Sequence, residues 1–367
     1  MKNLKIFNNS RVIVTGHTGF KGSWLTAWLK QLGANVMGIS LDPPSYPSHF
    51  EVSKINLGIK DVRLDIRDRK KLEQKFIAFK PHFVFHLAAQ PLVGLSYKDP
   101  ITTWQTNVFG TLNVLQSLRK LKNACNVVII TSDKCYFNKE IIYGYKETDT
   151  LGGKDPYSSS KASAELLVKS FINSFFSNSK KKIRIVTARA GNVVGGGDWA
   201  NDRIIPDCVR SWSKNRKVEL RNPDATRPWQ HVLEVVGGYL CLAINLKSNK
   251  NLHGEPFNFG PNLYKEYSVL ELVKAMRYYW KNVSWKIIPK SKKKFYESEL
   301  LRLNCNKAKK ILKWKSVLKF EESIEMAANW YINYYSDPKN INIITTEQIE
   351  RYQSLAVKRG LKWAKIN

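Results

Sequence analysis

Arg11-Val12-Ile13-Val14-Thr15-Gly16-His17-Thr18-Gly19-Phe20-Lys21-Gly22 joins a β-branched run to three glycines spaced G-x-x-G-x-x-G. The run reads as a short buried strand, because Val and Ile suit a pleated surface. From Gly22 to Leu32 the apolar residues Trp24, Leu25, Trp28, Leu29 and Leu32 recur at helical spacing. Strand, glycine turn and helix in that order open a dinucleotide-binding unit. Glycine permits the tight turn and close approach to a pyrophosphate, which then meets the positive end of the helix. The loop Gly16, His17, Thr18, Gly19, Phe20, Lys21 and Gly22 is therefore the expected cradle of a nicotinamide dinucleotide.

The pattern repeats outward from that loop. Strands are expected over 35–40, 61–65, 83–87, 126–131 and 183–188, and helices over 70–79, 104–121 and 157–176. Strands alternating with helices at this spacing imply an α/β fold: a Rossmann-type doubly wound parallel sheet. Beyond Gly191 the pattern loosens into Gly195-Gly196-Gly197, Arg227-Pro228-Trp229 and mixed short elements. The expected division is 1–190 as the dinucleotide-binding part and 191–367 as a smaller mixed C-terminal substrate-binding lobe, with some of its segments returning to the first. The stripes Trp104, Val108, Leu112, Leu115 and Leu166, Leu167 suit either core or a helix-pair interface.

Composition narrows the function classes. The 367 residues are 43% hydrophobic, as in an ordinary globular protein, which excludes disorder as the main theme. No stretch of about 18 uncharged apolar residues occurs, and Met1-Lys2-Asn3-Leu4 leads into a short strand rather than a signal-peptide core. A cytoplasmic chain without membrane contact is expected. Cys125, Cys135, Cys208, Cys241 and Cys305 are scattered singly, so they read as reduced thiols, with no metal site. The net charge of +30 would suit a polyanion partner. Lysine runs such as Lys180-Lys181-Lys182 and Lys292-Lys293-Lys294 read instead as solvated surface, and no nucleic-acid partner is expected.

Around the glycine loop, several positions offer further cofactor contacts. An acidic group at the end of the second strand binds the adenosine ribose of NAD. That place holds Ser40 or, two residues late, Asp42, so NAD and NADP both stay open; Asp42, before Pro43-Pro44, also suits a plain turn. Asp65 and Ile66 are placed to reach the adenine. Leu87, Ala88 and Ala89 put mostly small residues where the cofactor backbone passes.

Tyr157-Ser158-Ser159-Ser160-Lys161 sets a phenol and an ammonium at i and i+4 on one helical face. There a cation can lower the phenol pKa from about 10 and make it a usable base. Thr131-Ser132 ends the preceding strand, so Ser132 is expected to bond the substrate hydroxyl that Tyr157 deprotonates, while Lys161 also holds the nicotinamide ribose. The set fits hydride removal from a secondary alcohol. His86 ends a buried strand and reads as a satisfied core residue.

At these residues the chain resembles the extended short-chain dehydrogenase/reductase family. Thr131-Ser132-Asp133-Lys134-Cys135-Tyr136, Leu151-Gly152-Gly153-Lys154-Asp155-Pro156-Tyr157-Ser158, Ala190-Gly191-Asn192-Val193-Val194-Gly195-Gly196-Gly197-Asp198-Trp199 and Arg227-Pro228-Trp229-Gln230-His231-Val232 look like the nucleotide-sugar 4,6-dehydratase branch acting on CDP-glucose. The resemblance runs from Phe20-Lys21-Gly22-Ser23-Trp24 to Asn304-Cys305-Asn306-Lys307-Ala308. It implies an NAD-dependent hydro-lyase. Such an enzyme oxidises C4, removes water across C5 and C6 and returns the hydride to C6, leaving a CDP-4-keto-6-deoxyglucose used for deoxysugars of surface polysaccharides. Asp133 is then the acid at C6, and Lys134 the base at C5 or a stabiliser of enolate charge. Asn192, Arg203 and Arg227 would face the diphosphate, and Gln90 and Ser96 the sugar. A homodimer or homotetramer is implied. A 4-epimerase shares the glycine loop, Tyr157 and Lys161 but needs no acid and base at C6 and C5, and so remains the near alternative. Without the other motifs, Asp133-Lys134 would read as an exposed turn ion pair.

Overall fold

A computed structural model describes residues 3–177, 182–201, 203–261, 266–281, 283–288 and 300–366. The lysines at 180, 181 and 292–294 lie outside the described residues. Seven parallel strands form one sheet: β1 Arg11–Thr15, β2 Asn35–Ser40, β3 Lys60–Arg63, β4 Phe83–His86, β5 Cys125–Ile130, β6 Ile183–Ala190 and β7 Pro256–Phe259. Their spatial order is β7-β6-β5-β4-β1-β2-β3. The chain runs outward from β1 to β3, then returns to β1's other side with β4, so the order reverses between β1 and β4. Thr15 of β1 pairs with Ile39 on one side and His86 on the other. A crevice at such a reversal, beyond the carboxyl ends of the strands, is where this architecture binds ligands. Strand β7 comes from beyond residue 190 and pairs with β6 through Pro256↔Thr187 to Phe259↔Ala190.

Helices cover both faces, as a fully parallel sheet requires. The helices that bear on the site and the core are α1 Phe20–Gln31, α2 Arg69–Phe79, α3 Gly110–Lys120, α4 Pro156–Phe171, α5 Ile204–Trp212, α6 Val232–Ser248, α7 Phe320–Ser336 and α8 Ile341–Lys358. One core packs α1 and α6 with the C-terminal helices, through Trp24, Trp28, Leu240, Trp330 and Tyr352; the other joins Ile13, Val84 and Val127 to Phe76, Leu118 and Val168.

Two of the expected helices depart from simple periodicity. The expected helix 104–121 begins earlier, at Pro100, where the Asp99 side chain caps the Thr102 N–H, and passes through a π-turn Gln105–Phe109 before α3. The expected helix 157–176 is regular only to Phe171, and Ile172–Phe176 is again a π-turn. One extra residue per π-turn slips the apolar stripe without breaking it. Leu115 is buried, whereas Trp104 and Leu166 are exposed. All five cysteines are buried with free thiols, and among the described residues no helix is long and apolar enough to cross a membrane.

Glu234 of α6 ties the C-terminal segments to the sheet. It accepts the Val317 and Leu318 N–H groups at 2.8 and 2.5 Å and the Tyr352 hydroxyl at 3.0 Å. Burial nevertheless pushes its carboxyl up to about 7. The folded state thus holds this proton more tightly than the unfolded chain, so the stability it confers is present below the ordinary carboxyl range and lost as pH rises through about 7. The expected loss is about 3 kcal/mol. A Glu234→Gln variant keeps both backbone bonds through its amide oxygen and donates to Tyr352 instead. Thermal melts should show it more stable than wild type near pH 8 and level with it near about pH 4; a constant offset at both would assign the effect to packing.

Candidate active site

The glycines answer to separate constraints. Gly16 has φ +76°, a backbone region that L side chains rarely adopt, and a Cβ there would stand 2.6 Å from the Ala88 nitrogen. A Cβ at Gly22 would lie 2.0 Å from the Gly16 oxygen. At Gly19, which caps α1, the nearest atom to such a Cβ is 3.4 Å away. Gly16 and Gly22 therefore close the turn, while Gly19 leaves the helix N-terminus open to a ligand. The tight turn, the open N–H groups of α1 and the crevice between β1 and β4 fit a dinucleotide pyrophosphate.

Several expected cofactor contacts are redirected. The His17 ring covers Gly38, where a Cβ would stand 2.3 Å from it, and its Nε2 bonds Asp61 at 2.9 Å. Thr18 Oγ1 bonds Ser40 Oγ at 2.7 Å and donates to the Leu41 oxygen. Both side chains thus turn back onto β2 and β3, and only their backbone borders the loop. Phe20 points toward Gly195. Asp42 is 91% exposed with Arg63 3.9 Å away, as a turn residue would be. Asp65 pairs with Arg67 at 2.7 Å, and Ile66 is buried against Gly110. Leu87, Ala88 and Ala89 follow β4 half-buried, with Ala88 against Gly16. His86 bonds Thr15 at 2.7 Å and Thr111 at 3.0 Å, so both ring nitrogens are occupied in the core.

The remaining expected catalytic groups converge at the end of β5. Ser132 caps a single 3₁₀ turn, Asp133–Cys135: its Oγ accepts the Lys134 N–H and donates to Asp133 Oδ1 at 2.9 Å. Asp133 is buried rather than exposed, and a Cβ at Gly191 would stand 2.7 Å from its Oδ2. Burial raises its pKa, against the opposing influence of Lys134, the Ser132 hydroxyl and Lys21. Such a carboxyl tends to keep its proton. Lys134 beside it is half-buried.

Helix α4 begins where Asp155 accepts the Ser158 N–H at 2.9 Å, with Pro156 at its first position. This places Tyr157 and Lys161 on the buried face, toward Ser132 and Asp133. The Tyr157 phenol is close enough to the Ser132 hydroxyl for that group to favour its ionised form. Its pKa is not lowered, as the i,i+4 ammonium led us to expect; burial pushes it up to about 12, opposed by the Ser132 hydroxyl and the Arg203 charge. Lys161 is brought down to about 8 by burial first and by Lys21 next. Lys21 itself faces Asp133, Asp198 and Arg203, and burial followed by Arg203 lowers it to about 8. The first turn of α1 therefore adds a cation to the catalytic cluster.

The expected sugar contacts Gln90 and Ser96 are turned inward. The Gln90 amide donates to Thr103 Oγ1 and the Leu92 oxygen and accepts the Leu92 N–H. Ser96 is 0% exposed, donates to the Val93 oxygen and accepts the Tyr157 N–H at 3.2 Å. Each supports the site without an open polar atom to offer a ligand. Asn192 is half-buried after Gly191, and Arg203 joins the cluster through Asp198 at 2.6 Å. Arg227 stands on a two-residue strand paired with Tyr267-Ser268, its Nη1 donating to the Thr226 oxygen.

Sequence reading missed Asp198, Asn107 and Glu165. Asn107, in the first π-turn, donates to Ser160 at 2.9 Å and to the Gln90 oxygen, bracing the helix beside Lys161. The "Gly197-Asp198-Trp199" motif carried the only local signal for Asp198.

The family model described as GDP-mannose 4,6 dehydratase matches residues 13–327. A CDP-glucose 4,6-dehydratase of Salmonella typhimurium is 42% identical over 96% of this chain and 98% of its own length. A UDP-glucose 4-epimerase of Mycoplasma genitalium is 25% identical over 89% of this chain and 98% of its own. Among solved structures, a UDP-glucose 4-epimerase from Stenotrophomonas maltophila with bound NAD and formylated UDP-arabinopyranose superposes with TM-score 0.77 at 22% identity. That match covers 89% of this chain and 99% of the other.

Proposed function

The chain belongs to the GDP-mannose 4,6 dehydratase family, and on that premise we propose that it is an NAD-dependent hydro-lyase that converts CDP-glucose to CDP-4-keto-6-deoxyglucose. The observation that carries this reading is the buried Asp133 carboxyl, held by Ser132 and flanked by Lys134 and Lys21 within the same cluster as Tyr157 and Lys161. A 4-epimerase has no use for an acid there, and the Salmonella relative supplies the nucleotide and the sugar.

The Gly16–Gly22 turn and Lys161 would hold NAD, which would supply a reversible hydride acceptor. The chain's own groups then divide the work. Tyr157, as the phenolate that the Ser132 hydroxyl and the Arg203 charge favour against burial, takes the proton of the C4 hydroxyl, which Ser132 orients. A ketone at C4 makes the C5 hydrogen acidic, which an unoxidised hexose does not offer. Asp133, whose pKa burial raises, protonates the departing C6 hydroxyl, while Lys134 receives the C5 proton or balances the enolate charge. Asn192, Arg203 and Arg227 hold the diphosphate; the planar guanidinium fork matches phosphate oxygens. Loss of water is the only net change.

The test is to offer CDP-, dTDP-, GDP- and UDP-hexoses with NAD and weigh the products. A product lighter by one water from the CDP sugar supports the reading; an epimer of unchanged mass overturns it.

Ile101, Phe109, Leu166 and Phe175 are 69, 56, 57 and 43% exposed on the two π-turn helices. A second copy covering these two helices gives a homodimer, because apolar faces of this kind mark an interface. Light scattering should give twice the chain mass, with Leu166→Glu shifting it to the monomer; a monomeric wild type refutes the dimer.

A further inference from the structure

Behind the catalytic turn lies a carboxylate that the reaction does not touch. Glu165 stands one helical turn beyond Lys161 on α4, buried. Its Oε1 accepts the Thr131 hydroxyl at 2.5 Å and Arg189 Nε at 2.9 Å. Its Oε2 accepts the Thr187 hydroxyl at 2.8 Å and Arg189 Nη2 at 2.9 Å. Arg189 continues to the Tyr136 hydroxyl at 2.8 Å, and Tyr136 donates to Asn258 Oδ1 on β7 at 2.8 Å. One carboxylate thereby joins α4, which carries Tyr157 and Lys161, to the carboxyl end of β5.

The link is directional. Thr131 directly precedes Ser132 and Asp133, so the bond to Glu165 fixes the residue from which the acid turn springs. Thr187 donates to the same carboxylate from the middle region of β6, without leading into a reacting group. We propose that Glu165 is a positioning residue for the dehydration, acting through Thr131 to hold Ser132 and Asp133 at a set distance from Tyr157 and Lys161. The role rests on the dehydratase reading above. Its physical basis is the steep dependence of proton and hydride transfer on geometry: a misplacement of about 1 Å lowers rates about 100-fold.

The two threonines separate positioning from plain stability, since each loses one hydrogen bond to the same buried oxygen pair. Glu165→Gln would instead leave Arg189 half-paired in a dry site and unfold the region. Expected for Thr131→Val is a fall in kcat of about 100-fold, with KM and bound NAD within about twofold of wild type. Thr187→Val should lower kcat by less than about threefold, and Thr131→Ser, which keeps the hydroxyl, should restore turnover to within about threefold. Equal losses from Thr131→Val and Thr187→Val, or wild-type kcat in Thr131→Val, overturn the positioning role while leaving the dehydratase reading intact. A wild-type chain that forms no dehydrated product from CDP-glucose overturns that reading, and the role with it.

Discussion

Tyr157→Phe is expected to lower turnover of CDP-glucose by about three orders of magnitude, the usual worth of a positioned general base. In the proposed mechanism the phenol takes the C4 hydroxyl proton, and without that transfer hydride removal would leave a protonated ketone. The fold should tolerate the change. Tyr157 is buried, and the Ser132 hydroxyl keeps Asp133 as a partner after the phenol is gone. Bound NAD and the melting temperature should therefore match wild type while kcat falls. Turnover within about tenfold of wild type would place the base elsewhere.

Asp133→Asn is expected to split the reaction. Its amide still accepts from Ser132 but has no acid proton for the C6 hydroxyl, so C4 is oxidised and the chemistry halts before water leaves. Formation of dehydrated product should drop by about 100-fold or more, and reduced nicotinamide absorbance should build up on adding CDP-glucose. Lys134→Met acts on the neighbouring step: cofactor binding stays intact and dehydration stops. The two variants differ from Tyr157→Phe, which should show no reduced nicotinamide. Unchanged release of product in either one removes that residue from the mechanism.

Much of the fold was legible because local constraints repeat. The glycines at 16 and 22 are demanded by contacts under 3 Å, and only glycine meets them, so their spacing speaks directly. Tyr157 and Lys161 share a face through helical periodicity, and strands buried on both sides read as apolar runs. Other features depend on where a side chain turns, which spacing does not encode. His17 and Thr18 lie in the loop yet point at Asp61 and Ser40. Gln90 and Ser96 sit beside the crevice yet spend their polar atoms within the fold. Glu165 and Arg189 meet across separate elements, and no local pattern announces such a pair. The π-turns at 105–109 and 172–176 escape notice because one inserted residue barely disturbs an apolar stripe. The phenol's rise to about 12 reverses an i,i+4 argument for the same reason: burial depth is set by the whole fold, while the ammonium is only a neighbour.

Strand β7, residues 256–259, pairs along the outer side of β6 and receives Tyr136's hydroxyl bond through Asn258. During synthesis, a nascent chain that has emerged only as far as β6 presents that strand as an open edge. Its row of unpaired N–H and C=O groups is a template for another chain. Only after the ribosome has added α6 and β7 are the edge capped and the Arg189–Tyr136–Asn258 chain complete. A fragment ending near residue 190 should accordingly aggregate rather than bind dinucleotide, although every glycine of the loop is already in it.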